Sequence, residues 1–146
     1  MPKLEFPMYE LRTQFSEHKT LVFDIVRKKM VALTPEEWVR QHVIHFLISE
    51  HKVSINKISV EYSLKWNSMT HRCDLVVFGD DFAPQLIVEC KAASVPISQK
   101  VFDQIARYNM KLKVPYLMVT NGLSHIYARV NFNDNSCAFM EELKFV

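Results

Sequence analysis

The sequence predicts an α/β fold in which a mixed central β-sheet is flanked by helices. Short runs of β-branched and aromatic residues predict strands, and two longer segments with apolar residues at helical spacing predict helices between them. A strand that is reached through a helix usually enters the sheet parallel to a neighbour. The order of the predicted elements is strand, helix, three antiparallel strands, helix, strand and a closing hairpin.

The first strand is predicted at residues 21–29, and a helix follows from Thr34 to about Lys52. Thr34 is a good N-cap because a proline follows it and Glu37 stands three residues further on. Apolar residues then recur at helical spacing: Val39, Val43, Ile44, Phe46, Leu47 and Ile48. This spacing predicts an amphipathic helix.

Three strands and a second helix are predicted next. The strands lie at 57–66, 72–78 and 85–92, and the polar stretches between them predict hairpin turns. Ser98 caps the second helix, which runs to about Lys113 and is ended by Pro115. The last strands are predicted at 116–120, 125–131 and 137–141, with a turn at Asn121-Gly122 after the first of them.

Length and composition predict one domain, residues 1–146, with its core at about 21–130 and its closing hairpin at about 125–141. The 146 residues include two glycines and six prolines, which leave no room for a flexible linker. No apolar run is long enough to cross a bilayer and no signal peptide is evident, so we expect a cytoplasmic protein without a membrane partner. The net charge of +2 permits nucleic-acid binding without arguing for it.

The three cysteines predict buried thiols. Cys73, Cys90 and Cys137 each lie inside an apolar, strand-like run, and no CxxC pair exists. We therefore expect neither a zinc site nor a disulfide framework.

Two carboxylates meet in the second predicted hairpin. The turn at 79–84 sets the register by pairing Phe78 with Gln85, and in that register Asp74 lies directly opposite Glu89. Like charges that face each other within an apolar sheet need a compensating cation. Lys91 lies two residues beyond Glu89 and therefore on the same face of the strand.

A divalent ion would satisfy both carboxylates. The candidate ligands are Asp74, Glu89 and the backbone carbonyl of Cys90, an oxygen set that suits Mg²⁺ or Mn²⁺. Such an ion orients and acidifies a water molecule, while the neighbouring ammonium of Lys91 stabilises charge on a phosphate. The alternative is an ordinary strand ion pair of Glu89 with Lys91 or Arg72.

Three segments, in this order, resemble the PD-(D/E)XK nuclease superfamily: Arg72-Cys73-Asp74, Ile87-Val88-Glu89-Cys90-Lys91-Ala92 and Gln104-Ile105-Ala106-Arg107-Tyr108. Together with the runs at 34–41 and 119–122, they look more narrowly like the N-terminal nuclease domain of type I restriction enzyme R subunits. The resemblance covers about residues 21–130 and implies a restriction-endonuclease-like αβββαβ core. It also implies that Asp74 and Glu89 bind the metal and that Lys91 acts on the attacking water or on the phosphate.

The resemblance implies further site residues on the two helices. Gln104 and Tyr108 match the QxxxY motif of the family, which supports the site or contacts DNA. In this superfamily a helical glutamate often completes the metal site, and Glu37 is the candidate, with Glu36 as its competitor. Helix capping alone also explains either acid.

Basic residues supply candidates for DNA binding. The second helix presents a polar stripe at helical spacing, and Arg40 and Arg72 lie near the acids; the candidates are Lys100, Gln104, Arg107, Tyr108, Lys111, Arg40 and Arg72. Solvated side chains are the alternative for the stripe, and pairing with Glu36 or Glu37 is the alternative for Arg40. All six histidines are interpreted as structural, although His71 stands beside the predicted site and within reach of DNA.

The function that these features favour is a metal-dependent deoxyribonuclease. The alternatives are a nucleic acid-binding module that cleaves little and works with a partner, and an interaction protein that uses residues 116–120 at an interface. No GxxxxGK[ST] phosphate loop is present, so we do not expect a full restriction subunit with its ATP-driven translocase. The expected partners are DNA, a second copy of the chain, or a separate specificity or motor subunit.

Overall fold

Two β-sheets and two α-helices form the fold in the computed structural model, which describes residues 1–145. The small sheet has the order β1 (Thr13–Ser16), β2 (Lys19–Asp24), β3 (Lys29–Ala32). The central sheet has the order β4 (Ile58–Trp66), β5 (Met69–Phe78), β6 (Pro84–Cys90), β7 (Tyr116–Thr120), β8 (His125–Asn131), β9 (Ser136–Met140). The helices are α1 (Pro35–Ser49) and α2 (Gln99–Leu112). Only β6 and β7 run parallel among the strand pairs of this part of the chain, so the predicted mixed α/β fold is confirmed.

The single strand predicted at residues 21–29 is wrong, because the chain turns back on itself within it. The carboxylate of Asp24 accepts hydrogen bonds from the backbone N–H groups of Val26 and Arg27 at 2.8 and 2.7 Å. This side-chain turn ends β2 and starts β3 as an antiparallel neighbour. Together with β1, the two strands form a separate sheet and do not join the central one.

Helix α1 begins as predicted and ends earlier than predicted. The Thr34 hydroxyl accepts a hydrogen bond from the N–H of Glu37 at 3.1 Å, which confirms the N-cap. The helix stops at Ser49 and not at Lys52. The backbone of Lys52 is left-handed, with φ at 55°, and so lies outside the helix. Its apolar face packs on the central sheet, with these side chains fully buried: Val39, Val43, Ile44 and Leu47.

The β5–β6 hairpin follows the predicted register except at its turn. Leu75 pairs with Val88, and the next two positions continue that ladder. A shift between Val77 and Phe78 then places Phe78 opposite Pro84, so the predicted partner Gln85 is wrong by one residue. The ladder carries Asp74 and Glu89 to one end of the hairpin, one step beyond the pair of Leu75 and Val88.

Helix α2 covers the other face of the central sheet. Ser98 caps it by accepting from the N–H of Val101 at 3.2 Å, as predicted. Phe102 and Ala106 pack against apolar side chains of β7 and β8. Within residues 1–145, no helix is long and apolar enough to cross a membrane.

The N-terminal segment packs on the turn that follows β7. The N–H of Glu5 donates to the carbonyl of Gly122 at 2.7 Å, and Leu4 is buried in the core. Gly122 has φ of +86°, and a Cβ atom there would lie 2.7 Å from Leu4. The predicted Asn121-Gly122 turn therefore needs its glycine both for its backbone conformation and for this close approach.

Candidate metal centre

Asp74 and Glu89 lie side by side at the end of the β5–β6 hairpin. The Oδ2 atom of Asp74 accepts a hydrogen bond from the N–H of Cys90 at 2.6 Å, which ties the carboxylate to the strand that carries Glu89. Their side chains are only 17% and 12% exposed. The fold therefore brings together the two carboxylates that the hairpin register predicted as neighbours.

Glu36 on α1 approaches the same place. The Nη2 atom of Arg40 lies 3.1 Å from Oδ1 of Asp74 and 3.6 Å from Oε1 of Glu36, so the two acids share one guanidinium nitrogen. The pKa of Glu36 is raised, first by burial and then by the charge of Asp74, while Arg40 and Lys91 partly hold it down. Glu36 is 47% exposed, so this edge of the group is open to solvent.

Glu89 is the carboxyl whose pKa departs most clearly from its ordinary value. The pKa of Glu89 is raised to about 6, first by burial and also by the charge of Asp74, against the opposing effect of the hydrogen bond and charge of His71. Negative charge at this place is therefore only partly balanced by the side chains around it. A carboxyl in this state gains from a nearby divalent cation.

Lys91 follows β6 at the point where the hairpin meets β7. Its N–H donates to the carbonyl of Thr120 at 2.8 Å, which continues the parallel ladder by one residue. The side chain is half-buried, and its ammonium charge acts on Glu36. The ExK segment thus places a cation near Glu36.

Glu37 lies in a different environment from Glu36. Its Oε1 atom accepts from Arg27 at 2.8 Å and from Arg40 at 3.1 Å, and its Oε2 atom accepts from Gln41 at 3.1 Å. The side chain is 8% exposed and is engaged on both oxygens. The structure therefore separates the two candidate acids of α1: Glu36 faces Asp74, and Glu37 lies within a buried ion-pair network.

That network extends over the small sheet and joins it to the central sheet. Asp24 accepts from Arg27 at 2.8 Å and from Gln41 at 2.9 Å, and Glu61 on β4 approaches Arg40 at 3.4 Å. The pKa of Asp24 is lowered, because the hydrogen bonds from Arg27 and Gln41 outweigh its burial. Sequence reasoning missed these partners, since they lie far apart in the chain.

Arg40 is a member of this network and not a surface residue. Its guanidinium is buried and contacts the carboxylates of Glu36, Glu37, Glu61 and Asp74. The sequence left open whether Arg40 pairs with the acids of its own helix or binds phosphate, and the structure has it paired with both acids. Arg72 is exposed and pairs with Glu61 at 2.5 Å.

His71 contacts Glu89 from the side of α2. Its Nε2 atom lies 3.0 Å from Oε1 of Glu89, and its ring stacks on Tyr108 with centroids 4.6 Å apart and planes 10° apart. The pKa of His71 is raised, first by the hydrogen bond to Glu89. Tyr108, a predicted site residue, therefore reaches the carboxylate through His71.

Cys73 lies beside this pair and is fully buried. One ligand atom from each of His71, Cys73 and Glu89 lies within 4.8 Å of the others. Burial raises the pKa of the Cys73 thiol to about 12, so the thiol keeps its proton at neutral pH. The sequence predicted no soft ligand set, because no CxxC spacing marks this one.

The predicted polar stripe of α2 divides between two faces. Gln104 is exposed on the face that carries Tyr108, whereas Arg107 and Lys111 line an open groove of about 740 Å³ on the neighbouring face. The ammonium of Lys111 lies 5.9 Å from the ring of Trp66 in that groove. Lys100 is exposed at the start of the helix.

The arrangement suits chemistry on a phosphate ester. Three acids from α1, β5 and β6 offer oxygen atoms to a hard divalent ion, and Lys91 supplies a cation next to them. An α/β fold with Asp on one strand, ExK on the next and QxxxY on the following helix defines a nuclease-like domain.

The comparison with family models agrees with this class. The model described as "Type I restriction enzyme R protein N terminus (HSDR_N)" matches residues 35–143, and the chain belongs to this family. A search of the curated proteins gives no match. The matched region begins with α1 and includes the whole central sheet, whereas the small sheet lies before it.

Proposed function

We propose that this protein is a metal-dependent deoxyribonuclease that hydrolyses phosphodiester bonds. The observation that carries the proposal is the convergence of Glu36, Asp74 and Glu89 beside Lys91. The pKa of Glu89 is raised there to about 6. Family membership supports a nuclease-related role for the domain. Partly balanced carboxylates next to a lysine are what a nuclease needs before its metal binds.

Asp74, Glu89 and the backbone carbonyl of Cys90 would hold Mg²⁺ or Mn²⁺. The Asp74 oxygens already accept hydrogen bonds from Arg40 and from the Cys90 N–H, but a carboxylate oxygen has a second lone pair and can also ligate a metal. When bound, the ion neutralises the carboxylates and lowers the pKa of a water molecule. Oxygen donors of this kind favour a hard cation over zinc.

We propose Glu36, and not Glu37, as the acid that α1 contributes. Glu36 is partly exposed and shares Arg40 with Asp74, whereas both oxygens of Glu37 are engaged by buried partners. Glu36 is thus free to orient an attacking water or to complete the metal ligands. Glu37 then holds Arg40 in place against Asp74.

Lys91 would stabilise negative charge on the phosphate as the bond breaks. It directly follows β6, and its ammonium charge partly offsets the rise that burial causes in the pKa of the neighbouring Glu36. An ammonium in such a place acts on charge that develops in the transition state. Lys91 would also help to bind DNA before the reaction.

DNA would be bound along α2 and the adjoining hairpin. Lys100, Gln104, Arg107, Lys111 and Arg72 are all exposed there. Such contacts go to the phosphate backbone and carry no base sequence information. A second copy of the chain, or a specificity or motor subunit in the cytoplasm, belongs to the same proposal, because family membership suggests such partners.

Cleavage of linear, circular and single-stranded DNA with Mg²⁺ or Mn²⁺ tests the proposal. The wild-type chain is compared with Asp74→Asn and Lys91→Ala, and with Asp134→Asn and Lys144→Ala as exposed controls. We expect metal-dependent cleavage that falls by about 100-fold or more in the first two variants and is unchanged in the controls. Circular dichroism checks that each variant is folded.

Mn²⁺ binding, followed by electron paramagnetic resonance, separates the remaining outcomes. Activity that persists in Asp74→Asn would contradict the assigned site. Mn²⁺ binding that Asp74→Asn abolishes, without any cleavage, would support the second candidate function: a nucleic acid-binding module that works with a partner. The bond between Arg40 and Asp74 favours that candidate, because it already supplies positive charge to Asp74 in the absence of a metal.

A further inference from the structure

We propose that His71, Cys73 and Glu89 form a second metal site, for a soft divalent cation such as Zn²⁺, and that an ion bound there inhibits the nuclease. The inhibitory part rests on the proposed function, because it requires Glu89 to serve the hydrolytic metal as well. The site itself stands on geometry that is independent of any cleavage activity.

The three donors are of the kind that zinc binds. They comprise an imidazole nitrogen, a thiol sulfur and a carboxylate oxygen, all within 4.8 Å of one another. Sulfur and nitrogen ligands select zinc and related ions over Mg²⁺. Three protein ligands leave a fourth position of a tetrahedral ion for water.

The ligands are held in place by the surrounding fold. The His71 ring is fixed by stacking on Tyr108, and its Nε2 atom already faces Glu89 at 3.0 Å. Cys73 is two residues along β5 from His71 and lies on the same side of the strand. Its Sγ atom has one weak contact, 4.0 Å to the carbonyl of His71, so the bond that a metal must replace is the hydrogen bond between His71 and Glu89.

Glu89 is the residue that connects the two sites. Together with His71 and Cys73 it forms the soft donor set proposed here for zinc. Together with Asp74 it forms the set of oxygen ligands proposed for the hydrolytic metal. The ion replaces the proton of the Cys73 thiol, which is released to solvent. Held by the resulting thiolate and the imidazole, the ion engages Glu89 and adds positive charge next to the hydrolytic centre. The two ions compete, and Zn²⁺ displaces Mg²⁺ or Mn²⁺.

Cobalt titration of the metal-free full chain tests the site without DNA. Co²⁺ bound to a thiolate gives a charge-transfer absorption in the near ultraviolet. We expect this band with one equivalent of Co²⁺ in wild type and in the control Cys137→Ser, and its loss in Cys73→Ser. His71→Gln, at a half-buried position, should weaken Co²⁺ binding by at least about tenfold and serves if Cys73→Ser does not fold.

Displacement of Mn²⁺ tests the competition. One equivalent of Zn²⁺ should release bound Mn²⁺ from wild type and not from Cys73→Ser, and should stop cleavage only in wild type. A wild-type chain without the cobalt band, or a band that persists in Cys73→Ser, would overturn the site. Simultaneous binding of Zn²⁺ and Mn²⁺ would overturn the competition.

Asp74→Asn separates this inference from the proposed function. The variant should lose Mn²⁺ while it keeps the cobalt band, because Asp74 is outside the soft donor set. A band in a wild-type chain that never binds Mn²⁺ would leave the soft site standing and remove the hydrolytic one. Cleavage by a wild-type chain that gives no cobalt band would remove the soft site and leave the hydrolytic one standing.

Discussion

Glu36 and Glu37 are adjacent in α1 and have the same side chain, yet they face two different regions of the protein. Glu37 faces the small sheet, where each of its oxygens accepts a hydrogen bond from a cationic or amide side chain. Glu36 faces the hairpin, where its neighbours include another carboxylate. Acids with balanced partners stabilise a fold, whereas acids placed together at an open edge are available for a ligand.

The largest expected effect comes from Glu37→Gln. Removing this charge leaves Arg27 and Arg40 short of a buried partner, and the free energy of unfolding should fall by about 3 kcal/mol. Glu36→Gln, the matched control, should change it by less than about 0.5 kcal/mol. Urea denaturation of the metal-free proteins measures both, and equal losses would contradict the distinction between the two regions.

The reverse contrast is expected for metal binding. Glu36→Gln should weaken Mn²⁺ binding or lower the cleavage rate by about tenfold or more, because it removes an oxygen ligand or the acid that orients water. Glu37→Gln should have a smaller effect where the protein is folded. Titration with Mn²⁺ at about 10 °C to 25 °C measures this difference. Protein stability is usually near its maximum around these temperatures, so both variants stay folded. A greater loss in Glu37→Gln would restore Glu37 as the acid of the site.

The raised pKa of Glu89 predicts a pH dependence of stability. Its pKa is about 6 in the folded protein against an ordinary value of 4.5, so the folded state binds this proton more tightly than the unfolded state. Stability should therefore fall as pH rises from 4.5 to about 6, by up to about 2 kcal/mol. The raised pKa of His71 acts in the same direction, since its contribution is lost as pH rises through that pKa.

Glu89→Gln isolates this effect. At pH 7 without metal, the variant should be more stable than wild type by up to about 2 kcal/mol. This difference should vanish as the pH falls towards the ordinary pKa of a glutamate. Thermal unfolding across this pH range measures it. A wild-type curve with the opposite slope in that window, or no gain in the variant, would show that the carboxylate is already balanced by its protein neighbours.

The smallest expected effect concerns the outer face of α2. Lys111→Ala should weaken DNA binding uniformly across sequences and reduce the slope of log affinity against log salt by about 1. Lys144→Ala is the matched control, far along the chain from α2. Fluorescence anisotropy at several salt concentrations measures the slopes, and an unchanged slope would assign Lys111 to its contact with Trp66 instead.

Local chemistry explains what could be predicted from the sequence. The caps at Thr34 and Ser98 were predicted because a capping hydroxyl acts on an N–H group three residues away. The strand at 116–120 and the Asn121-Gly122 turn likewise depend on neighbouring residues. The break at Asp24 was missed, because a β-branched run outweighed the tendency of aspartate to form a turn.

The sequence by itself determined that Asp74 and Glu89 come together, because a hairpin register follows from nearby residues. Only the tertiary structure decided which acid of α1 joins them, since successive helix residues point in different directions and the packing of α1 sets which one faces the hairpin. The same holds for the soft donor set, which needs both β5 and β6. Contacts between distant segments depend on packing, and no local pattern encodes them.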